Sequence, residues 1–404
     1  MKRLLNFVLA CSLAIAAWAA GNDTYTVVVS CDGLRWDYAE CFDMPFFDRL
    51  AKEGVKAVMQ PSFPTKTFPN HYTLATGLYP DHHGIVANSF IVKDDGKKYK
   101  IGNDVSHEGK NYGGDPIWLT AKRQGVKTAT VYWVGSDVKI KEGHANYWED
   151  YAKRPLLTPD ERVSKVIELL SLPQEKRPRL VMCYFEEPDH TSHSYGPITK
   201  KSRHMAEAMD SLLWTMWARL KAMPEIGNKI NLIILGDHGM TWTNELRVVN
   251  SYQYIKKEWN ARIEGDSPAL IYVDRPEIAD SIVNALQGVD HIRAWKKGDV
   301  PEYLHYGTNP NIGDVVVLPD LGWVFRNNTK VIAGNHGWDH TASDMQVGFR
   351  AIGPDFKVGY VRPGSFRNVC IYPLLAHLLG ITPEPNDGDL QEVGDILKVA
   401  PRQF

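Results

Sequence analysis

Short apolar runs alternate along the chain with segments in which apolar residues recur at helical spacing. Residues 25–31, 180–185 and 230–235 are mostly apolar and have the length and composition of buried strands. Between the second and third runs, the spacing over residues 202–223 predicts a helix, and residues 160–170 predict another just before the second. This alternation predicts an α/β fold with a mainly parallel sheet covered by helices.

The pattern changes near Leu246, where short strand-like runs are separated by loops rich in glycine, asparagine and proline. Residues 269–273 are strand-like, and residues 276–286 have helical spacing. We interpret this region as a small α+β cap inserted into a larger core. The predicted division is residues 21–244 for the first part of the core, 245–328 for the cap and 329–404 for the second part of the core.

The first twenty residues have the composition of a secretory signal peptide. A basic start, Met1-Lys2-Arg3, precedes an apolar run that ends in the small-x-small pattern Ala17-Trp18-Ala19. We therefore expect residues 1–20 to be removed and the protein to be exported, either to the periplasm or into the medium. Two alternatives stay open: a permanent anchor helix, although the run is short of about 20 residues, and a lipoprotein attached through Cys11.

Composition narrows the range of partners. The formal charge of −2 provides no cationic field for a nucleic-acid surface or an anionic membrane. After residue 20 the sequence has no apolar run long enough to span a bilayer. Cys31, Cys41, Cys183 and Cys370 form an even number compatible with disulfides, although Cys31 and Cys183 lie in strand-like runs and fit buried core positions better. The oligomeric state stays open.

Polar side chains follow four of the apolar runs at the point where each run ends. In open α/β sheets, ligands bind outside the carboxyl ends of the strands, so we expect these side chains to meet at one edge. Carboxylate oxygens combined with imidazole nitrogens favour a divalent ion, zinc above all. The four segments are Asp32 after residues 27–31, Asp189 after 181–185, Asp237-His238 after 232–235, and His336 after 331–333.

The spacing within these segments is compatible with metal binding. Asp189 and His193 lie four residues apart and would share one face of a helical turn. Asp237 and His238 are adjacent, so they can bind one ion only through an irregular backbone, which the flanking glycines allow. Each residue alone also fits a turn or a solvated position. Four strand ends of one chemical type favour the metal site.

The segment Pro64-Thr65-Lys66-Thr67-Phe68-Pro69 leads into a predicted helix and contains two candidate hydroxyls. A hydroxyl at a helix N-terminus is ordinarily an N-cap, and this interpretation applies equally to Thr65 and Thr67. The alternative is a nucleophile whose pKa is lowered by a metal, with the positive helix end beneath an incoming phosphate. The local sequence leaves both interpretations open.

Together these motifs resemble the nucleotide pyrophosphatase/phosphodiesterases of the alkaline phosphatase superfamily, over nearly the whole chain after residue 20. The resemblance implies an alkaline-phosphatase-like, three-layer α/β core with a mainly parallel sheet. It rests on Asp32-Gly33 with Arg35 and Asp37, residues 66–72, residues 76–80, His83-Gly84-Ile85, residues 186–189 with His193 and Gly196-Pro197, residues 236–240, and residues 336–339.

The resemblance also implies a hydrolase with two zinc ions per chain that acts on nucleotide phosphodiester or pyrophosphate bonds. Thr67 would attack phosphorus, and water would then hydrolyse the phospho-threonine to release a nucleoside 5′-monophosphate. Asn88 would donate its amide to a nonbridging oxygen. The implied ligands are Asp189, His193 and His336 for one ion, and Asp32, Thr67, Asp237 and His238 for the other.

A nucleotide pocket beside Thr67 is implied as well. Phe68 would form one wall of a slot in which a base stacks, and such stacking is worth about 1–3 kcal/mol per base. Tyr151 would form the other wall, with an ordinary surface or core aromatic as the alternative. The further implied pocket residues are Trp133, Asp137 and Tyr184.

The interval between Asn88 and Asp115 is as long as a loop that nucleotide-cleaving members of the family have and lysophospholipid-cleaving members lack. We therefore expect a small-molecule nucleotide substrate. The alternative is a lysophospholipid or glycerophosphodiester phosphodiesterase on the same metal site. A non-catalytic zinc-stabilised module is disfavoured because the nucleophile and every implied ligand are present. The composition of residues 93–110 departs from the family, so base preference stays open.

Overall fold

The computed structural model describes residues 23–401, so the predicted signal at residues 1–20 lies outside it. The chain is built around one large, mostly parallel sheet with helices on both faces, which confirms the predicted α/β class. The strands are β1 Tyr25–Cys31, β2 Val55–Gln60, β3 Ser89–Ile91, β4 Lys98–Lys100, β5 Thr128–Val131, β6 Tyr147–Glu149, β7 Leu180–Phe185, β8 Ile230–Leu235, β9 Thr241–Trp242, β10 Val248–Asn250, β11 Arg262–Gly265, β12 Ala269–Tyr272, β13 Ile292–Lys296, β14 Val315–Pro319, β15 Val324–Arg326, β16 Gly334–Asn335, β17 Val347–Ile352 and β18 Tyr360–Arg367.

The large sheet has the strand order β18-β2-β17-β8-β1-β7-β5-β6. The parallel neighbours of β1 are β7 and β8, and all three strands are buried along their whole length. A strand covered on both faces needs apolar side chains at consecutive positions, so these three strands were predictable with their bounds. The antiparallel strand β17 was not predicted, because the buried Arg350 interrupts its apolar run.

Helices cover the sheet on both faces and make the fold three-layered. Val28 of β1 faces the cluster that contains Leu74 and Leu375, whereas Val27 and Val29 face a second cluster with helical residues such as Leu213. The alternation of side chains along a strand produces these two cores. The helices are α1 Tyr38–Cys41, α2 Pro45–Glu53, α3 Thr67–Thr76, α4 Pro80–His83, α5 Ile117–Arg123, α6 Pro159–Leu170, α7 Asp189–Tyr195, α8 Lys200–Lys221, α9 Pro276–Leu286, α10 Ile371–Leu379 and α11 Leu390–Val393.

A separate four-stranded antiparallel sheet, in the order β11-β12-β14-β13, lies within residues 262–319 together with α9. It is fixed to the large unit by Asp81, which is 6% exposed at the start of α4. The Asp81 carboxylate accepts backbone hydrogen bonds of 2.9–3.0 Å from Gly307, Thr308 and Asn309. A buried carboxylate with this many N–H donors is well satisfied.

The prediction that residues 331–333 form a strand of the large sheet was wrong. The strand that precedes His336 is β16, which has only two residues and pairs antiparallel with β9. The four cysteines at positions 31, 41, 183 and 370 are free, and Cys31 and Cys183 are buried strand residues. Among residues 23–401, the helices are too short or too polar to cross a bilayer.

Candidate active site

Three neighbouring strands end side by side and bring the predicted carboxylates together. Asp32 follows β1, Asp189 begins α7 just after β7, and Asp237 follows β8. Backbone hydrogen bonds of 2.9 Å join the first two ends, from Asp32 N–H to Phe185 O and from Asp189 N–H to Asp32 O. The third end is joined through Gly33, whose N–H donates to Asp237 Oδ1 at 3.1 Å.

Two glycines allow this close approach of backbones. Gly33 has φ +68°, and a Cβ there would lie 3.0 Å from Cα of Asp189. Gly239 has no positive φ, but a Cβ there would lie 2.0 Å from the carbonyl oxygen of Asp344. The second glycine is therefore required by lack of space for a side chain, rather than by the backbone freedom expected from the sequence.

Three histidines project into the space between these carboxylates with a defined tautomer. Each donates its Nδ1–H to a backbone carbonyl, so Nε2 of the neutral ring is left as an acceptor that faces the centre. The three bonds are each 2.8 Å long and run from His193 to Gly334 O, from His238 to Gly239 O and from His336 to Thr65 O.

The acceptor atoms approach one another too closely to be stable without positive charge between them. His336 Nε2 lies 3.2 Å from His193 Nε2, which in turn lies 3.2 Å from Asp189 Oδ2. His238 Nε2 lies 3.3 Å from Asp32 Oδ1 and 3.1 Å from Asp237 Oδ2. Such a set of oxygen and nitrogen acceptors fits divalent cations.

Unpaired carboxylate oxygens point to the same conclusion. Asp32 Oδ1, Asp189 Oδ1 and Asp237 Oδ2 are buried and have no hydrogen-bond partner among residues 23–401. Buried acceptors are nearly always paired, so three in one place indicate that cations belong there. Ligand atoms within 4.8 Å of one another form two groups, Asp189/His238/His336 and Asp32/Asp237/His238.

The pKa values of these groups reflect burial without a cation. Burial, followed by the charge of Asp237, raises the pKa of Asp32 well above its ordinary value. Burial lowers the pKa of His238 to about 3 and that of His336 well below its ordinary value. Burial disfavours the protonated form of His193, but the hydrogen bond with Asp189 favours it more strongly, so the pKa of His193 is raised. Bound cations would take the place of these protons.

The structure rules out the helix-cap interpretation for both threonine hydroxyls. Thr67 is the first residue of α3, and the N-cap position is occupied by Lys66, which makes no side-chain cap. The Thr67 hydroxyl oxygen lies 3.1 Å from His238 Nε2, to which it donates because Nδ1 holds the ring proton. The Thr65 hydroxyl donates to the carbonyl of Trp338. Neither hydroxyl is a helix cap, and Thr67 faces the acceptor cluster.

The predicted pocket residues lie at different depths around Thr67. Asn88 accepts the backbone N–H of Phe68 through Oδ1 at 3.0 Å, which leaves its NH₂ group as the side that can donate outward. Tyr184 is buried and donates its O–H to Asp32 Oδ2 at 2.7 Å. Trp133 is 1% exposed and donates its indole N–H to the carbonyl of His71.

Two further predicted residues, Tyr151 and Asp137, are joined by a hydrogen bond. Tyr151 is half-buried and donates its O–H to Glu186 Oε1 at 3.0 Å. Asp137 accepts a backbone hydrogen bond from Tyr151, and burial raises the pKa of its carboxyl. Of the predicted aromatic residues, Trp133 and Tyr184 both pack edge-on against the His71 ring, with ring centroids 5.3 and 5.0 Å from it.

Sequence reasoning missed residues that position the site. His71, one turn after Thr67 on α3, donates Nδ1–H to the Thr67 carbonyl at 2.9 Å and accepts the Ser30 hydroxyl at 2.8 Å. Its spacing of four residues from Thr67 was a signal that could have been used. Arg162 forms two hydrogen bonds of 2.7 and 2.8 Å to Glu186, and no local pattern on α6 distinguishes it from a surface arginine.

The family that matches this chain is consistent with the geometry. The sequence description of the type I phosphodiesterase / nucleotide pyrophosphatase family matches residues 26–339. The chain belongs to this family. It is 33% identical to human ectonucleotide pyrophosphatase/phosphodiesterase family member 5, over 98% of this chain and 83% of the relative. It is also 34% identical to venom phosphodiesterase CdcPDE of Crotalus durissus collilineatus, over 92% of this chain but only 46% of that protein.

Solved structures of this phosphodiesterase family superpose closely on the chain. Murine ectonucleotide pyrophosphatase/phosphodiesterase 5 matches with a TM-score of 0.87 and 32% identity, over 93% of this chain and 100% of that chain. An inactive threonine-to-alanine variant of the same murine protein, in complex with AMP, matches with a TM-score of 0.88. The chain is therefore a hydrolase of the phosphodiesterase class with the alkaline-phosphatase-like fold, as predicted.

Proposed function

We propose that this chain is a two-zinc phosphodiesterase/pyrophosphatase that releases nucleoside 5′-monophosphates through a phospho-threonine on Thr67. The observation that supports it most directly is the 3.1 Å contact between the Thr67 hydroxyl and His238 Nε2, at the edge of three unpaired carboxylate oxygens. The murine relative that binds AMP is called inactive when a threonine is replaced by alanine. That name supports a threonine nucleophile here.

The proposed ligands are the residues whose acceptor atoms converge. Bound zinc would polarise phosphoryl oxygens and lower the pKa of a coordinated hydroxyl or water. Two ions about 4 Å apart suit in-line displacement at phosphorus. We assign Asp189, His193 and His336 to one ion, and Asp32, Asp237, His238 and the Thr67 oxygen to the other.

The reaction would proceed in two displacements at one phosphorus atom. The Thr67 hydroxyl would release its proton to water, and its oxygen would form a bond to phosphorus. The bond from phosphorus to the leaving oxygen would break, and its electron pair would stay on the leaving oxygen. Water then attacks the phospho-threonine and releases the monophosphate. The Asn88 NH₂ group would hold a nonbridging oxygen during both steps, since its Oδ1 is already fixed by Phe68 N–H.

We place the nucleoside on the side of Phe68. The base would stack on the Phe68 ring opposite Tyr151, whose position is held by Glu186, with Asp137 nearby. Trp133 and Tyr184 would support this pocket from below rather than contact the base over a large area, because both are nearly inaccessible. Residues 245–328 are proposed to be the cap beside it.

We also propose that the chain is exported, with residues 1–20 as its signal peptide. The relatives named above are an ectonucleotide enzyme and a venom enzyme, and both names describe proteins that act outside the cytosol. In a periplasmic or secreted location, burial would protect the free thiols of Cys31, Cys183 and Cys370 from oxidation.

The test compares wild type with Thr67→Ala, with Thr215→Ala on the exposed face of α8 as the matched control. We expect about two zinc ions per chain in both variants and wild type. Thr67→Ala should lower kcat for a dinucleoside monophosphate by at least about a thousandfold without change in the circular dichroism spectrum. Full activity in Thr67→Ala would contradict the mechanism. Much faster turnover of lysophospholipid than of any nucleotide would contradict the substrate class.

A further inference from the structure

The proposed reaction gives no role to Arg162, a charged residue on α6 whose side chain is only 3% exposed. Its Nη1 and Nη2 donate to the two carboxylate oxygens of Glu186 at 2.8 and 2.7 Å. Its Nε donates to the Leu157 carbonyl at 3.0 Å, and Nη1 also donates to the Tyr184 carbonyl at 2.8 Å. All three nitrogens of the guanidinium are therefore bonded, and the plane of the group is fixed.

The carboxylate that Arg162 holds also holds Tyr151. Glu186 Oε1 accepts the Tyr151 hydroxyl at 3.0 Å, in addition to the bond from Arg162 Nη2. Burial, followed by the charge of Glu186, raises the pKa of Tyr151 to about 12, so the hydroxyl keeps its proton and stays a donor at neutral pH. A bidentate arginine fixes the orientation of its carboxylate. Arg162 therefore sets the position at which Glu186 receives the hydroxyl.

A second set of contacts connects Arg162 to Tyr151 through the ring of Tyr132. The guanidinium carbon of Arg162 lies 4.7 Å from the centroid of the Tyr132 ring, and that ring packs edge-on with Tyr151 at a centroid distance of 5.5 Å. Tyr132 has φ +60°, which costs energy for an aromatic residue and persists only where the surrounding contacts hold it. The hydroxyl and the ring of Tyr151 thus both contact partners of Arg162.

Tyr151 needs such anchors because it lies in a loop, two residues after β6 ends at Glu149. Its backbone N–H donates to the Asp137 carboxylate, which fixes the main chain but leaves the side chain free to rotate. The guanidinium carbon of Arg154 lies 5.5 Å from the centroid of the Tyr151 ring, but Arg154 is exposed and belongs to the same loop. A neighbour that moves with the loop cannot fix it to the core, whereas α6 and β7 can.

We propose that Arg162 is a positioning residue that fixes Tyr151 as a wall of the nucleoside slot and so determines how strongly the enzyme prefers substrates that carry a base. The inference rests on the proposed function, in which the base stacks between Phe68 and Tyr151. A wall that is fixed before binding loses less conformational entropy than a mobile one when the substrate binds. Loss of Arg162 should therefore raise KM for nucleotide substrates and leave kcat almost unchanged.

The test compares two phosphodiesters that release the same p-nitrophenolate from the zinc-loaded enzyme. The p-nitrophenyl ester of thymidine 5′-monophosphate carries a base, whereas methyl p-nitrophenyl phosphate carries none. Arg162→Gln should raise KM for the thymidine ester about tenfold and change its kcat less than about twofold. The kcat/KM of this variant for the methyl ester should change less than about twofold.

Arg177→Gln is the matched control. Arg177 also donates to a backbone carbonyl and to a glutamate, Glu225, and it lies over the ring of Tyr25, which begins β1 at the end opposite to Asp32. This variant should change the kinetics of neither ester. Arg162→Lys retains the buried charge but cannot bind both oxygens of Glu186, so it tests the inference even if Arg162→Gln does not fold. It should raise KM for the thymidine ester about threefold.

A double-mutant cycle decides whether Arg162 acts through Tyr151. Tyr151→Ala removes the wall, so Arg162→Gln added to it should raise KM for the thymidine ester by less than about a further twofold. An undiminished effect in that background would overturn the inference. An unchanged KM in Arg162→Gln alone, or an equal loss of kcat/KM for both esters, would overturn it as well, since an equal loss indicates a general structural role or a disturbed metal site. Wild-type enzyme that hydrolyses neither ester would instead overturn the proposed function on which the inference rests.

Discussion

Tyr184 donates its phenolic O–H to Oδ2 of Asp32 at 2.7 Å, within a cluster whose remaining carboxylate oxygens include three without partners. The bond uses one oxygen of Asp32 and turns the other, Oδ1, toward His238 Nε2 at 3.3 Å. An outer hydrogen bond of this kind fixes the direction in which a ligand presents its lone pair. Tyr184 is therefore a positioning residue for the proposed metal site.

Tyr184→Phe should weaken metal binding without loss of the fold. Without the hydroxyl, the Asp32 carboxylate can rotate and its Oδ2 loses a partner, so we expect metal affinity to fall about 10- to 100-fold. A chelator-competition titration with a zinc-sensitive dye measures this change. Tyr147→Phe is the matched control, because its hydroxyl donates to an exposed carbonyl at Lys176 far from the cluster. Equal affinity in wild type and Tyr184→Phe would show that Asp32 needs no such support.

In the metal-free protein, the two buried carboxyls Asp32 and Asp237 should contribute less to stability as pH rises. Burial, with charge repulsion from a neighbouring aspartate, raises the pKa of both Asp32 and Asp237 in the metal-free protein. A carboxyl with a raised folded-state pKa favours the folded state at low pH, and this contribution is lost as pH rises. The lowered pKa values of His238 and His336 act in the opposite direction over the same range. The carboxyl contribution is therefore isolated as the difference in Tm between chelated wild type and chelated Asp237→Asn, which should fall between about pH 5 and pH 8.

Zinc should reverse this trend. Binding requires deprotonated carboxylates and neutral imidazoles, so affinity and the stabilisation that it provides rise with pH. The difference in Tm between loaded and chelated protein should consequently be larger at about pH 8 than at about pH 5. Thermal unfolding followed by circular dichroism at both pH values measures it. A difference that is constant, or larger at low pH, would contradict the assignment of these carboxylates as ligands.

The Arg162–Glu186 pair should stabilise the protein at neutral pH. Burial opposes ionisation of Glu186, but hydrogen bonds from Arg162 lower its pKa below the ordinary 4.5. The pair's contribution to the free energy of unfolding is thus complete above pH 4.5. It is lost as pH falls through the lower pKa that Glu186 has in the folded state. Glu186→Gln should cost about 2 kcal/mol at neutral pH and less in acid. Urea unfolding at the two pH values, with the exposed Glu175→Gln as control, tests both the size and the sign.

Gly239→Ala should damage the site through backbone displacement alone. An added Cβ would lie 2.0 Å from the Asp344 carbonyl oxygen, so the loop that holds His238 must shift. Forced overpacking typically costs about 1–3 kcal/mol, and the displaced imidazole should lower kcat as well. Gly298→Ala is the control, because an added Cβ there has no heavy atom within 4 Å. Wild-type turnover in Gly239→Ala would show that the loop tolerates the shift.

The sequence predicted those parts of the site that follow long buried strands. Asp32, Asp189 and Asp237 were predictable because β1, β7 and β8 are apolar at consecutive positions and end at a parallel edge. His336 lies beside the carboxylate cluster, although the strand predicted before it is absent from the large sheet. It follows a two-residue antiparallel strand, and its ring is held by a distant carbonyl at Thr65.

Other features depend on contacts that no local pattern encodes. Thr67 could not be distinguished from a helix cap until its hydroxyl was located beside His238, 171 positions away in the chain. Arg162 reaches Glu186 from a helix whose sequence is that of an ordinary amphipathic surface helix.

The anchoring of residues 307–309 by Asp81 restricts how this region can evolve. Three backbone N–H groups donate to the Asp81 carboxylate, and every residue except proline provides such a group. The side chains of Thr308 and Asn309 also donate to Asp81, so both their identity and the length of the turn are constrained. We expect related sequences to vary in loop length elsewhere in the small subdomain and to keep a constant spacing around this turn.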